Sequence, residues 1–220
     1  MRIQGILFDM DGVLLDTERL STIAWQKTAK RWQIDLPVSF INSYKGKNLV
    51  ESRKLYLQRF GTDFPYDEFR AEKTEYMQED IRVNGLPVKK GVYDLLKYAK
   101  EHQIKLAVAT STSRSTAEAY LRQVGIYEDF QAIVYGDSVA ASKPEPDIYL
   151  EAAKQIGVKP EECFVIEDST AGVMAGYHAG AQVIHIPDQI TVPEEVLQKT
   201  YRIVEDMTKV IDLLEDEILL

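Results

Sequence analysis

The chain has 220 residues, 45% hydrophobic and 28% charged, a balance that excludes disorder as the main state and suffices for a core without covalent staples. Its 26 Lys and Arg against 35 Asp and Glu leave a net charge of −9, a poor match for a general nucleic-acid binder, and the single cysteine, Cys163, excludes an internal disulfide or a thiolate zinc site. No apolar run approaches the ~18 residues of a membrane helix, and the first residues lead into a strand-like run with no signal-peptide pattern. The expectation is a cytoplasmic protein with no membrane or nucleic-acid partner and no evident obligate protein partner.

Residues 3–8 form a short apolar run that ends at Asp9-Met10-Asp11-Gly12, a buried strand running into a polar turn. From residue 17 to about 82 the apolar spacing turns helical, with Leu20, Ile23, Ala24, Trp25, Ala29 and Trp32 on one stretch. Tyr56, Leu57 and Phe60 mark a second helix there, and Phe69, Tyr76 and Met77 a third. Val83-Asn84-Gly85-Leu86-Pro87 reads as a linker.

Beyond it the chain alternates. Helices are expected around Val92–Ala99 spacing, Ala117 to Val124, Tyr149 to Ile156, 170–179 and from Met207 onward; strands are expected at 105–110, 132–135, 163–166 and 182–186. Strands separated by helices argue for a parallel sheet covered on both faces. The first strand belongs with these later ones. The expected architecture is therefore a doubly wound, Rossmann-like α/β core, residues 1–16 and 83–220, interrupted by a helical insertion at 17–82. Ligands in such sheets bind beyond the carboxyl ends of the strands.

Four strand ends carry chemistry. Asp9 and Asp11 follow the first; Thr110, Ser111, Thr112 and Ser113 the second; Gly136-Asp137, with Lys143-Pro144 further on, the third; Glu167 and Asp168 the fourth. Clustered carboxylates repel one another unless a cation lies among them, and all-oxygen ligands favour Mg²⁺. Hydroxyls, loop amides and a lysine suit a phosphate. The set points to Mg²⁺-assisted phosphoryl transfer, governed by positioning and charge neutralisation. Taken singly, each segment has a plainer reading: Asp-x-Asp-Gly as a turn, 110–113 and Glu167-Asp168 as helix caps, Lys143 as a solvated loop lysine. His102, His178 and His185 are scattered, and Cys163 reads as inert.

The four segments together resemble the signature motifs of the haloacid dehalogenase superfamily. Asp9-Met10-Asp11-Gly12-Val13-Leu14-Leu15-Asp16-Thr17 matches DxDGxxxDT, followed in order by Val108-Ala109-Thr110, Lys143-Pro144-Glu145-Pro146-Asp147 and Val165-Ile166-Glu167-Asp168-Ser169. The resemblance implies that Asp9 is a nucleophile forming an aspartyl-phosphate and Asp11 the general acid and base. It implies phosphate binding by Thr110, Ser111 and Lys143, and Mg²⁺ binding by Asp9, Asp168 and the Asp11 carbonyl with support from Glu167. Residues 17–82 would be a cap that closes over the site.

The function so implied is a Mg²⁺-dependent phosphatase acting on a small phosphorylated metabolite, such as a sugar phosphate. The alternative is a phosphomutase resembling β-phosphoglucomutase, because Tyr44-Lys45-Gly46-Lys47 is similar to that subgroup's substrate loop, making Lys45, Gly46 and Lys47 candidate substrate contacts. Those mutases carry a histidine where this chain has Glu18-Arg19-Leu20-Ser21, and an arginine where it has Lys47-Asn48-Leu49-Val50. Dehalogenase and phosphonatase chemistries lack the second aspartate, here Asp11. A receiver-like phospho-acceptor module would have neither Asp11 two residues after Asp9 nor the long insertion.

Overall fold

The computed structural model describes residues 3–45 and 49–218. The chain divides into two compact units, one made of the segments up to Asp16 and from Pro87 onward, the other Thr17–Leu86.

β1 (Gly5–Phe8) opens the first unit. Four helices then make up the second: α1 (Thr17–Trp32), α2 (Val38–Tyr44), α3 (Leu49–Phe60) and α4 (Tyr66–Asn84). α1 packs chiefly on α4. Their shared core is aromatic, with Trp25, Tyr44, Tyr56, Tyr66 and Phe69 buried together and Tyr56 in ring contact with the other four. The Tyr44 and Tyr56 hydroxyls are 2.7 Å apart, which pairs two polar groups that burial would otherwise leave unsatisfied. α2 has no counterpart in the sequence pattern, and α4 continues through Val83 and Asn84, where the sequence predicts a linker. The helix stops one residue later, at Gly85, whose φ of 83° ends it and whose N–H still reaches Ile81 O.

The rest of the chain completes the first unit: α5 (Val92–Glu101), β2 (Lys105–Thr110), α6 (Arg114–Gln123), β3 (Ala132–Tyr135), α7 (Asp147–Ile156), β4 (Cys163–Glu167), α8 (Thr170–His178), β5 (Gln182–His185), α9 (Glu194–Leu197), β6 (Arg202–Ile203) and α10 (Met207–Ile218). The six strands form one parallel sheet in the order β3-β2-β1-β4-β5-β6. This is the doubly wound, Rossmann-like α/β architecture. β4 is buried at all five residues, as expected of a central parallel strand covered on both faces. Alanines at Ala107 and Ala109 on β2 and at Ala152 and Ala153 on α7 let that helix lie close against the sheet, over Leu7, Val134 and Val165. Among the described residues no helix is long and apolar enough to cross a membrane.

β1 lies at the centre, pairing Phe8 with Val108 of β2 on one side and with Ile166 of β4 on the other. The residues just past these three strands therefore emerge side by side at one sheet edge.

Candidate active site

Asp9 follows Phe8 and is still tied to the ladder, its N–H donating to Ile166 O at 3.1 Å. Its side chain is buried at the strand end. Lys143 arrives from the loop after β3, across a cis Lys143–Pro144 peptide. Its Nζ donates to Asp9 Oδ1 at 2.5 Å, Glu167 Oε1 at 2.7 Å and Ala109 O at 3.0 Å. Those acceptors come from the ends of β1, β4 and β2, and they match the three hydrogens of an ammonium.

Glu167 takes donors on both carboxylate oxygens. Oε1 also accepts from the Tyr149 hydroxyl at 2.7 Å, and Oε2 accepts from the Asp168 N–H, the Ser169 N–H and Ser169 Oγ at 3.1, 3.2 and 3.1 Å. Ser169 Oγ in turn accepts from Gly172 N–H, capping α8. A Cβ on Gly172 would collide with the Glu167 carboxylate, so the first turn of α8 can pass this close only with glycine there. Asp168 is buried beside the first loop. Gly12, at φ 85°, passes so near that a Cβ would collide with Asp168 Oδ2.

The remaining strand end holds the second aspartate. Thr112 Oγ1 donates to Asp11 Oδ2 at 2.7 Å, and Thr112 N–H donates to the buried Thr110 Oγ1 at 3.0 Å. Ser111 between them is exposed, and Gly136 packs against its backbone. Asp137 is exposed.

These contacts set the charges. Burial, more than any neighbour, raises the Asp9 pKa to about 8; Glu167 and Asp11 add to the rise and Lys143 opposes it. Burial would depress Lys143, but Asp9 and Glu167 reverse that and hold it above the usual lysine range. Burial likewise disfavours the Glu167 charge, yet Lys143, Tyr149 and the Ser169 amide keep its pKa below the ordinary value. One carboxylate oxygen from each of Asp9, Glu167 and Asp168 lie within 4.8 Å of one another. Three buried carboxyls, one of them (Asp9) pushed toward neutrality by burial, share one lysine and form a site short of positive charge. An all-oxygen donor set of this kind fits a hard divalent cation such as Mg²⁺.

The family model for haloacid dehalogenase-like hydrolases matches residues 3–180. This chain belongs to that family. Among its relatives, it is 32% identical over 187 residues to a phosphorylated carbohydrates phosphatase of Thermotoga maritima, covering 83% of this chain and 84% of that one. It is 35% identical over 188 residues to the β-phosphoglucomutase of Bacillus subtilis, covering 81% and 80%. The solved structure of CbbY from Rhodobacter sphaeroides in complex with phosphate superposes with a TM-score of 0.76 at 30% identity, over 94% of this chain and 96% of that one. These relatives place the chain among the phosphoric monoester hydrolases of the haloacid dehalogenase superfamily.

Of the residues singled out from the sequence, this haloacid dehalogenase-like hydrolase brings Asp9, Asp11, Thr110, Lys143, Glu167 and Asp168 to one edge of the sheet. Lys45 belongs to the helical unit, where its buried side chain has Nζ 3.5 Å from Glu18 Oε2. Gly46 and Lys47 lie outside the described residues. Two further residues beside these groups carry no motif signal of their place. Tyr149 occupies a periodic apolar position of α7, and periodicity carries no sign of its hydroxyl. Asp188 stands just past β5, where the strand-end rule applied to the other strands would have found it. Its Oδ1 accepts from Lys89 Nζ at 2.7 Å.

Proposed function

We propose that the chain is a cytoplasmic, Mg²⁺-dependent phosphatase that hydrolyses a small phosphorylated metabolite, a sugar phosphate, through an aspartyl-phosphate on Asp9. The observation that carries this reading is the grouping of Asp9, Glu167 and Asp168 at the ends of the adjacent strands β1 and β4, with Lys143 bonded to the first two and Asp11 held nearby by Thr112.

Asp9 and Asp168 would hold the cation, with the Asp11 carbonyl. Glu167 has donors on both oxygens, which suits it to fixing Lys143 and the start of α8 more than to binding metal directly. What Mg²⁺ supplies when bound is positive charge that favours the ionised form of Asp9 and offsets charge on the phosphoryl group. Lys143, Thr110 Oγ1 and the backbone around Ser111 orient that group. An Asp9 carboxylate oxygen attacks phosphorus, and the bond to the substrate oxygen breaks as Asp11 gives that oxygen its proton. Asp11, now a carboxylate, takes a proton from water as the water attacks the acyl phosphate, and the bond between phosphorus and Asp9 breaks to release inorganic phosphate.

On the family resemblance, the Thr17–Leu86 unit is a cap that excludes water, and Lys45, Gly46 and Lys47 are its substrate contacts. A phosphate-release screen across phosphorylated metabolites with Mg²⁺ tests the whole reading. The identity to a β-phosphoglucomutase supports a second outcome, isomerisation of a hexose phosphate that starts only when a trace of sugar bisphosphate is added. Steady phosphate release without bisphosphate supports the phosphatase; isomerisation without net release supports the mutase.

A further inference from the structure

The pair Lys89–Asp188 is not used by the mechanism above. The Asp188 side chain is only 4% exposed, yet it is bonded through one oxygen alone. Oδ1 takes the Lys89 ammonium, and Oδ2 is buried with no hydrogen-bond partner among the described residues. A buried carboxylate oxygen without a donor is costly, and native structures seldom leave one so. The placement of Oδ2 says what it serves. A Cβ built on Gly12 would lie 3.1 Å from Asp188 Oδ2, and the same atom would collide with Asp168 Oδ2. Both carboxylates thus face the bare α-carbon of Gly12, in the loop that carries Asp9 and Asp11. Two carboxylates converging on one space call for positive charge or donated hydrogens between them. Lys89 is fixed from the other side, its N–H donating to Leu14 O at 2.9 Å in that same loop.

We propose that Asp188 is a positioning residue of the metal site. Its Oδ2 accepts hydrogen bonds from water in the hydration shell of the cation, and Lys89 aims the carboxylate through Oδ1 while moderating its charge. The proposal rests on the reading of Asp9 and Asp168 as metal ligands. Outer partners of this kind tune affinity without touching the ion. Charge gives the two members of the pair opposite signs: removing the Asp188 charge weakens the hold on a cation, and removing the Lys89 charge strengthens it.

The test is direct binding of Mn²⁺ to the purified chain, with free ion counted by electron paramagnetic resonance and Mg²⁺ measured by competition. Asp188→Asn keeps the shape and should weaken both ions by about tenfold or more, the range seen for outer-shell partners. Lys89→Gln, which can still donate to Oδ1, should tighten them. An Asp188→Asn affinity within about twofold of the parent overturns the proposal, being below any outer-shell effect. So does Lys89→Gln binding unchanged or weaker, because a purely structural tie would move both variants the same way. Should Asp188→Asn lose the parent's circular dichroism, the sign of the Lys89→Gln shift decides alone. A parent chain that binds neither ion overturns the proposal together with the metal reading beneath it, whereas a parent that binds and variants that do not differ from it overturn the proposal alone.

Discussion

Thr112 Oγ1 donates to Asp11 Oδ2 at 2.7 Å, so the aspartate read as general acid is oriented by the residue two past the end of β2. Thr112 is itself positioned through its N–H on the buried Thr110 Oγ1. A hydroxyl that fixes a proton donor affects the rate of proton transfer more than binding. Thr112→Val keeps the branched shape and removes the bond. The expected result is a fall in kcat of about tenfold, the lower part of what positioned acid–base groups contribute, with KM little changed. The fall should be larger for an alkyl phosphate than for an aryl phosphate, whose leaving group needs less protonation. Equal losses on both substrates would detach Thr112 from the proton transfer.

Asp9→Asn should abolish turnover and leave the fold intact. The amide is close to isosteric and a very poor nucleophile. It still offers Lys143 an acceptor, while Glu167 and Ala109 retain theirs. Rapid-quench experiments with ³²P-labelled substrate should find covalent phosphate on the parent and none on the variant. Labelled Asp9→Asn protein would reject Asp9 as the acceptor.

A third prediction concerns stability and pH at α10. Asp206 precedes this helix, and its Oδ1 accepts from Thr208 N–H at 2.9 Å while Oδ2 accepts from Lys90 Nζ at 2.7 Å. The Lys90 bond, then those of Thr208, pull its pKa down to about 2. A carboxyl whose folded pKa lies below its unfolded value, ~3.9, adds stability that is fully present above the unfolded value. That stability drains away as pH falls toward 2. Asp206→Ala should cost about 1 kcal/mol near neutral pH, as loss of an N-cap does. The gap between parent and variant should close in acid. Urea unfolding at pH 7 and pH 3 measures it, and a gap that widened in acid would contradict the assignment.

The sequence made some parts of this protein legible and hid others for physical reasons. The apolar run Cys163-Phe164-Val165-Ile166 of β4 is bounded by polar residues and set between helical patterns, as suits a central strand buried on both faces. β6 is two exposed residues, Arg202 and Ile203, whose pairing with β5 is a tertiary event with no local pattern. α2 has seven residues and buries only Ile41 and Tyr44, too few for a period. At the site, Asp9, Asp11, Lys143, Glu167 and Asp168 were visible because the strand-end rule and the motif order agreed. The spacing could not reveal that Glu167 takes up donors on both oxygens, or that Lys89 and Asp188, 99 positions apart, would meet beside Gly12.

Lys143 is where structure and chemistry are most tightly joined. Among the described residues its ammonium is the cation paired with the buried Asp9 and Glu167, and its side chain is 7% exposed. Removing one member of a buried charged set strands the others, which typically costs 3–5 kcal/mol, so Lys143→Met should destabilise the chain by about 3 kcal/mol or more in urea. Part of the loss is electrostatic, and a divalent cation between Asp9 and Asp168 should offset it. Adding Mg²⁺ should therefore raise the unfolding midpoint of Lys143→Met more than that of the parent, because a ligand that binds only the folded chain stabilises it in proportion to its affinity and the variant's site is more negative. Activity should not return with stability if Lys143 orients the phosphoryl group as proposed. A variant as stable as the parent without Mg²⁺ would mean that Asp9 and Glu167 share a proton when Lys143 is gone, and a variant whose midpoint ignores Mg²⁺ would mean that the cation does not sit among these carboxylates.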